Sequence, residues 1–199
     1  GGKVEKGSYE AAVTQPLEVV YEDEWLAVVN KPAGMKTVPG RNGGTSVLED
    51  MRRRHPDKPQ LAPVHRLDMD TSGLIIVAFD TETYKKIQAQ FLRREVFKRY
   101  TALLDGVSDC PIHGEISLPM RPDPLDRPYQ KVDFVNGKEA VTEYIVIDHE
   151  EGATRIALFP HTGRTHQLRL HCAHKAGLGT PIRGDRLYGH GGGRLSLSA

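Results

Sequence analysis

The chain has 199 residues, 38% hydrophobic and 27% charged, with a formal net charge of +1, a composition that supports a real core in one large or two small domains. It holds no run near the roughly 20 apolar residues of a membrane span, and its start, Gly1-Gly2-Lys3-Val4-Glu5-Lys6, lacks the pattern of a signal peptide. Two cysteines, Cys110 and Cys172, are too few for a disulfide framework and suit a reducing compartment, so a cytoplasmic protein without membrane contact is expected, by default a monomer.

Residues 1–15 show no periodic pattern and read as a tail, and residues 16–199 read as one domain. Trp25 to Asn30 has the apolar density of a strand, and Lys31-Pro32-Ala33-Gly34 turns the chain. Val38 to Gly44 is a loop without the Gly-Lys-Ser/Thr ending of a phosphate loop, so no nucleoside triphosphate is expected there. Ser46 with Glu49 makes a capping box that opens a short helix, which His55-Pro56 closes.

The densest polar stretch follows, His65-Arg66-Leu67-Asp68-Met69-Asp70-Thr71-Ser72-Gly73-Leu74. If it is extended, Arg66 and Asp68 share one face, a cation beside a carboxylate, while His65 and Leu67 share the other. Thr71 to Gly73 turns the chain, and Leu74 to Phe79 reads as a buried strand that holds this loop rigid. A helix is predicted from Asp80 or Thr81 to Arg94, with Tyr84, Ile87 and Phe91 as its core stripe. Strands are predicted over Phe97 to Leu104, Val132 to Val135, Val141 to Ile147 and Thr154 to Phe159, with hairpin turns at Asn136-Gly137 and Glu151-Gly152. Thr165 to Lys175 is compatible with a helix stopped by Gly177, and Gly189 to Gly193 reads as mobile. Consecutive strands with few helices point to an α+β fold with a mixed, mostly antiparallel sheet, not to a Rossmann fold.

A second polar stretch runs from His161 to His171. Arg164 and Thr165 would stand at a helix start, a favourable place for a phosphate, and a half-buried Arg169 needs a carboxylate. His166, His171, Cys172 and His174 invite a zinc reading, but their spacing is poor and no metal is expected. Charge is segregated along the chain. Arg52 to Arg54, Lys85-Lys86, Arg93-Arg94 and Lys98-Arg99 are basic, whereas Glu22 to Glu24 and Asp148 to Glu151 are acidic. A basic, RNA-facing side is compatible with this pattern, although such runs are usually solvated faces.

His65 to Leu74, Lys98-Arg99-Tyr100, Thr162 to Arg169 and Gly184-Asp185-Arg186-Leu187-Tyr188-Gly189 together resemble the successive signatures of the RluA-type family of RNA pseudouridine synthases, and Lys31-Pro32-Ala33-Gly34 fits its first motif. The resemblance extends in order from about Leu17 to Gly189. Arg127 to Val132 is further similar to the short branch, without an S4 domain, that modifies large-subunit ribosomal RNA and transfer RNA. One departure lies at the end, where Arg194-Leu195-Ser196-Leu197-Ser198-Ala199 stands in place of the family's closing strand, so that strand is expected to be missing or replaced.

The resemblance implies the pseudouridine synthase fold around a central RNA-binding cleft, an isomerase needing no cofactor, and a stem-loop of ribosomal or transfer RNA as substrate. It makes Asp68 the catalytic carboxylate, as nucleophile or base, with Arg169 as the charge that keeps it ionised and Tyr100 as the residue stacking on uracil and moving protons. Arg66 would fill the place of the flipped nucleotide, and His65, Arg41, Arg164 and Thr165 would contact the RNA. Two other classes remain open from the residues themselves. One is a non-catalytic RNA-binding module of ribosome assembly, and the other is a zinc hydrolase built on His166, His171, Cys172 and His174.

Overall fold

The computed structural model describes residues 16–199, so the tail expected over residues 1–15 lies outside it. β1 (Glu18–Glu22) and β2 (Leu26–Lys31) form a hairpin whose turn is held by Asp23, its carboxylate accepting the amides of Trp25 and Leu26 at 2.8 and 2.9 Å. α1 (Val47–Arg54) opens as the capping box predicts, with Ser46 Oγ accepting the Glu49 amide at 3.1 Å, and His55 ends it before Pro56. β3 (Ala62–Pro63) and β4 (Gly73–Ala78) complete an antiparallel sheet in the order β1-β2-β4-β3.

The two-residue period of β2 and β4 sends Ala27, Val29, Ile75 and Val77 into one core with Val47 and Met51 of α1 and with Leu67. Each of the Val, Ile, Leu and Met side chains contributes about 1.5–3 kcal/mol by burial. Leu74 lies on the opposite face and is exposed, so the segment expected to be buried throughout is buried mainly on one side.

α2 (Thr81–Leu92) starts at Asp80, whose Oδ1 accepts the Thr83 amide at 2.7 Å. Its predicted core stripe is not core: no residue of α2 is fully buried, and Tyr84, Gln88 and Phe91 face an open cleft instead. β5 (Tyr100–Leu104) begins later than predicted, because its ladder with the neighbouring strand runs out where Leu158 stands opposite Tyr100. Phe97, left outside, is exposed and rests its ring against Phe159 at 5.6 Å.

β6 (His113–Ser117), β7 (Met120–Pro122) and β8 (Gln130–Val132) follow, then β9 (Val141–Glu150) and β10 (Ala153–Pro160), joined at the predicted Glu151-Gly152 turn. The strand predicted over Val132 to Val135 stops at Val132. There Asp133 Oδ1 accepts the amides of Val135 and Asn136, both at 3.0 Å, and folds the chain into a turn. Asn136-Gly137 is therefore no hairpin tip, since β8 pairs with β7 and β9 pairs with β10 and β6.

α3 (Gln167–Ala173) is shorter at both ends than the predicted Thr165 to Lys175. His166 is in the left-handed region at φ 56°, which keeps Thr165 out of the helix, and the helix ends at His174, ahead of Gly177. β11 (Leu197–Ser198), formed by the residues that depart from the family's closing motif, pairs with β5. The second sheet has the order β11-β5-β10-β9-β6, and its core unites Leu104, Ile156 and Leu158 with Leu168 and Cys172 of α3 and with Leu197. The α+β expectation holds, but among the described residues the strand pairs are all antiparallel and fall into three sheets instead of one mixed sheet. Tyr100 packs against both large cores, which puts it where the two halves meet.

Candidate active site

At that junction lies a cleft of about 1190 Å³, walled by residues 36–40 and 62–69 on one side and by residues 160–169 on the other, with Tyr100 and Lys98 between them. The polar loop after β3 forms part of its lining, and the fold holds this loop from three directions. Thr37 Oγ1 donates to the Leu67 carbonyl at 3.0 Å and accepts the Leu67 amide at 3.2 Å, an antiparallel-like bridge that turns Leu67 inward. The Thr71 amide returns to the Asp68 carbonyl at 3.0 Å. Beyond the turn, the Ser72 carbonyl accepts the Ala199 amide at 2.9 Å, and Gly73, at φ +129°, lies so close to the Ala199 backbone that no side chain fits.

Lys31 buttresses the same loop from beneath. Its ammonium is fully buried and donates to the carbonyls of Met35, Met69 and Pro32 at 2.7, 3.0 and 3.1 Å, so the Lys31-Pro32-Ala33-Gly34 turn grips the residue next to Asp68. Burial pulls its pKa down to about 8, against the opposing pull of the Asp68 and Asp70 charges. Sequence reading recognised this turn but gave Lys31 no task. A lysine at the end of an otherwise apolar strand is the signal that was available.

Arg169 is 2% exposed, and the carboxylate it needs is Asp185, itself fully buried. The pair is bidentate, Nε to Oδ2 at 3.0 Å and Nη2 to Oδ1 at 2.6 Å. Asp185 also accepts the amides of Leu187 and Tyr188 at 3.0 and 3.1 Å, and despite burial its pKa is lowered by Arg169 and these amides. Arg169 Nη1 lies 3.8 Å from Asp70 Oδ2, which pairs with Arg186 Nε at 3.0 Å. Asp68, the carboxylate that the resemblance pairs with Arg169, makes no side-chain hydrogen bond or ion pair among the described residues, and Arg169 acts on it only through space. Tyr100 stands near the same carboxylate. Burial first, and then the Asp68 charge, push its hydroxyl up to about 12, so it remains a neutral phenol.

Arg66 is exposed on the cleft wall and makes no ion pair with Asp68, so the cation-carboxylate pair expected from their spacing is not formed. His65 lines the cleft, but its Nε2 accepts the Ile76 amide at 3.1 Å and its ring lies 5.0 Å from Phe91. Burial and the nearby Lys98 push its pKa down to about 4. Thr165 is exposed on the opposite wall. Arg164 also lies there, its Nε donating to the Glu139 carbonyl at 2.8 Å and its amide to Gln167 Oε1 at 3.1 Å. Neither opens α3, so the expected phosphate site at a helix start does not exist in that form. Arg41 is exposed beside the tight Gly40-Gly43 turn and is not part of the cleft wall, although its neighbour Gly40 is.

The four residues of the zinc reading are committed elsewhere. His171 Nδ1 meets Thr142 Oγ1 at 2.9 Å and its Nε2 meets the Leu118 carbonyl at 3.0 Å, while Cys172 is core. His174 Nδ1 accepts the Ala176 amide at 3.0 Å, and His166 Nδ1 lies 2.8 Å from the Tyr188 hydroxyl. Among the described residues no three His, Cys, Asp or Glu side chains are grouped as metal ligands. Lys31, Asp70, Asp185 and Tyr188 are the residues of the site to which sequence reading assigned no role. Asp185 and Tyr188 stood in a recognised motif, yet nothing in that motif says which side chains they meet.

Comparison with known proteins agrees with this architecture. Residues 25–174 match the family model described as RNA pseudouridylate synthase. The chain is 43% identical over 175 residues to the dual-specificity RNA pseudouridine synthase RluA of Escherichia coli strain K12, covering 86% of this chain and 77% of that protein. It is 42% identical over 176 residues to the protein of the same name from Haemophilus influenzae, covering 87% and 78%. Among solved structures, human RNA Pseudouridylate Synthase Domain Containing 1 superposes with a TM-score of 0.79 at 29% identity, covering 96% of this chain and 79% of that one. The chain belongs to the RNA pseudouridylate synthase family, the isomerases that convert uridine in RNA to pseudouridine.

Proposed function

We propose that the protein isomerises specific uridines in stem-loops of ribosomal RNA, transfer RNA or both, with Asp68 as its catalytic carboxylate. One observation carries this reading: every other carboxylate around Arg169 is already bonded, Asp185 to Arg169 and Asp70 to Arg186, whereas Asp68 lines the cleft with its oxygens uncommitted among the described residues. An ionised carboxylate in that position serves as nucleophile at ribose C1′ or as base towards the sugar. The N1–C1′ bond breaks and a C5–C1′ bond forms. The C5 proton is lost and N1 is protonated, so neither oxidant nor reductant enters.

Tyr100, as a neutral phenol between the two cores, offers a stacking face to the uracil and a hydroxyl for proton movement at C5. The nucleotide has to leave its stack to reach C1′ and C5, and the exposed Arg66 is the planar side chain that takes its place. His65, Arg164 and Thr165 line the route of the RNA. Arg41 would meet RNA only outside the cleft. The same reading makes the protein a cytoplasmic monomer without membrane contact. No helix among the described residues is long and apolar enough to cross a membrane.

The test is tritium release from transfer and ribosomal RNA labelled at uracil C5. Wild-type protein is expected to release tritium, Asp68→Asn to release none while still binding RNA, and Arg66→Ala to lose both binding and turnover. A folded wild-type protein that binds RNA stoichiometrically without release would instead favour a non-catalytic assembly module.

A further inference from the structure

Tyr188 joins the β7-β8 hairpin to the head of α3. Its ring lies edge-on to Tyr129 at 5.5 Å and beneath the Arg169 guanidinium at 5.7 Å. Its hydroxyl oxygen is 2.8 Å from the Gln130 amide nitrogen and 2.8 Å from His166 Nδ1. The backbone amide can only donate, so the hydroxyl accepts there. Its own proton then has one acceptor among the described residues, His166 Nδ1. The tautomer that lets the hydroxyl both accept and donate among the described residues is neutral His166 with its proton on Nε2. Burial lowers the pKa of this imidazole, with the Asp68 charge pulling the other way, and so favours the neutral form.

Nε2 has no partner among the described residues. It is not sealed off either, since the one buried side-chain nitrogen or oxygen there without a partner is Arg121 Nε, and His166 lines the cleft. An oriented N–H donor therefore faces the cleft within electrostatic reach of Asp68. The backbone adds a second observation. His166 sits at φ 56°, ψ 17°, a left-handed conformation that Gly or Asn accepts more easily, and its side chain does not cap α3. An imidazole held there at a conformational cost, giving the helix no hydrogen bond, points to a task in the cleft.

We propose that His166 touches the substrate, donating Nε2–H to an acceptor oxygen of the target uridine, and that Tyr188 is the positioning residue that fixes its tautomer. The inference rests on the pseudouridine synthase reading above and extends it by a specific contact.

Two measurements test it. In tritium release, His166→Ala should lower kcat/KM about tenfold or more, and His166→Gln, whose amide offers a donor, should recover much of the loss. His166→Asn should hold or raise the Tm, because Asn tolerates the left-handed backbone, while still lowering turnover. Tyr188→Phe should lower kcat/KM in the wild-type background and add little to His166→Ala. Parallel loss of Tm and activity in His166→Asn, or wild-type kcat/KM in His166→Ala, would overturn the proposal.

The second measurement needs no turnover. Long-range 1H–15N correlation of the imidazoles should show His166 as the Nε2–H tautomer in the free protein, and its Nε2 signal should move when unfractionated transfer and ribosomal RNA are added. An Nδ1–H tautomer, or an unmoved signal with RNA bound, would refute the contact. If wild-type protein binds RNA with this signature but releases no tritium, the catalytic reading fails and the contact stands.

Discussion

Arg169 and Asp185 form a closed, buried pair, with Nη2 to Oδ1 at 2.6 Å and both side chains shielded from solvent, while Asp68 has no such partner among the described residues. The pairing means that Arg169 is anchored before any RNA arrives, and its charge is a fixed feature of the cleft that Asp68 meets through space. A cation anchored in this way cannot collapse onto Asp68, the carboxylate proposed to react, and block it.

Removing the anchor should be costly. Asp185→Ala leaves the guanidinium buried without its partner and also orphans the amides of Leu187 and Tyr188. A loss of about 3–5 kcal/mol is expected from urea denaturation, together with loss of tritium release. A midpoint within the error of wild type would show that Arg169 does not depend on Asp185.

His65 supplies a pH dependence whose sign follows from its environment. Its folded pKa, about 4, lies below the ordinary value of 6.5, so between these values the unfolded chain binds more protons than the folded one. Stability from this group is therefore complete above pH 6.5, declines as the pH falls towards 4, and levels off below that, by up to about 3 kcal/mol. Urea midpoints at pH 7.5 and pH 4.5 should differ less in His65→Phe than in wild type. An equal pH response in both proteins would remove His65 as the cause.

Tyr100→Phe separates chemistry from packing. The Tyr100 hydroxyl makes no hydrogen bond among the described residues, and the ring keeps its place between the two cores. Stability should change by less than about 1 kcal/mol, whereas turnover should fall about 10²- to 10⁴-fold. Because the hydroxyl loses its proton only near pH 12, the wild-type pH-rate profile should show no tyrosine limb below about pH 10. Full activity in the Phe variant would leave Tyr100 only a stacking surface.

Gly73→Ala tests the tie between the cleft loop that carries Asp68 and the end of the chain. At φ +129° a side chain is strained, and its Cβ would overlap the Ala199 backbone. A cost of about 3 kcal/mol or more is expected from combined strain and overlap, with β11 released from β5. Hydrogen exchange at the Ala199 and Leu103 amides, which bond to Ser72 and Ser196, should accelerate. Unchanged protection would show that β11 is held independently of this turn.

What the sequence determined by itself was local. The Ser46 cap, the start of α2 near Asp80, the Glu151-Gly152 turn and the apolar strands β2 and β4 depend on hydrogen bonds and apolar runs spanning a few residues, so they could be read directly. The motifs also singled out Asp68, Tyr100 and Arg169, and all three line one cleft. Where a segment's fate depended on a distant neighbour, reading failed. Phe97 lies beyond the end of the β5 ladder, Tyr84 and Phe91 of the α2 stripe face the cleft instead of a second layer, and α3 starts late behind a left-handed His166.

Only the tertiary structure decided which charges meet. Arg169 finds Asp185, 16 residues away, and Arg186 finds Asp70, 116 residues away. Asp68, although flanked by Arg66 in sequence, is left unpaired among the described residues. An ion pair forms wherever folding brings opposite charges within about 4 Å, and for partners this far apart in the sequence no local spacing encodes that distance. The residue types of the site are written in the sequence. Which carboxylate is free to react is a property of the fold.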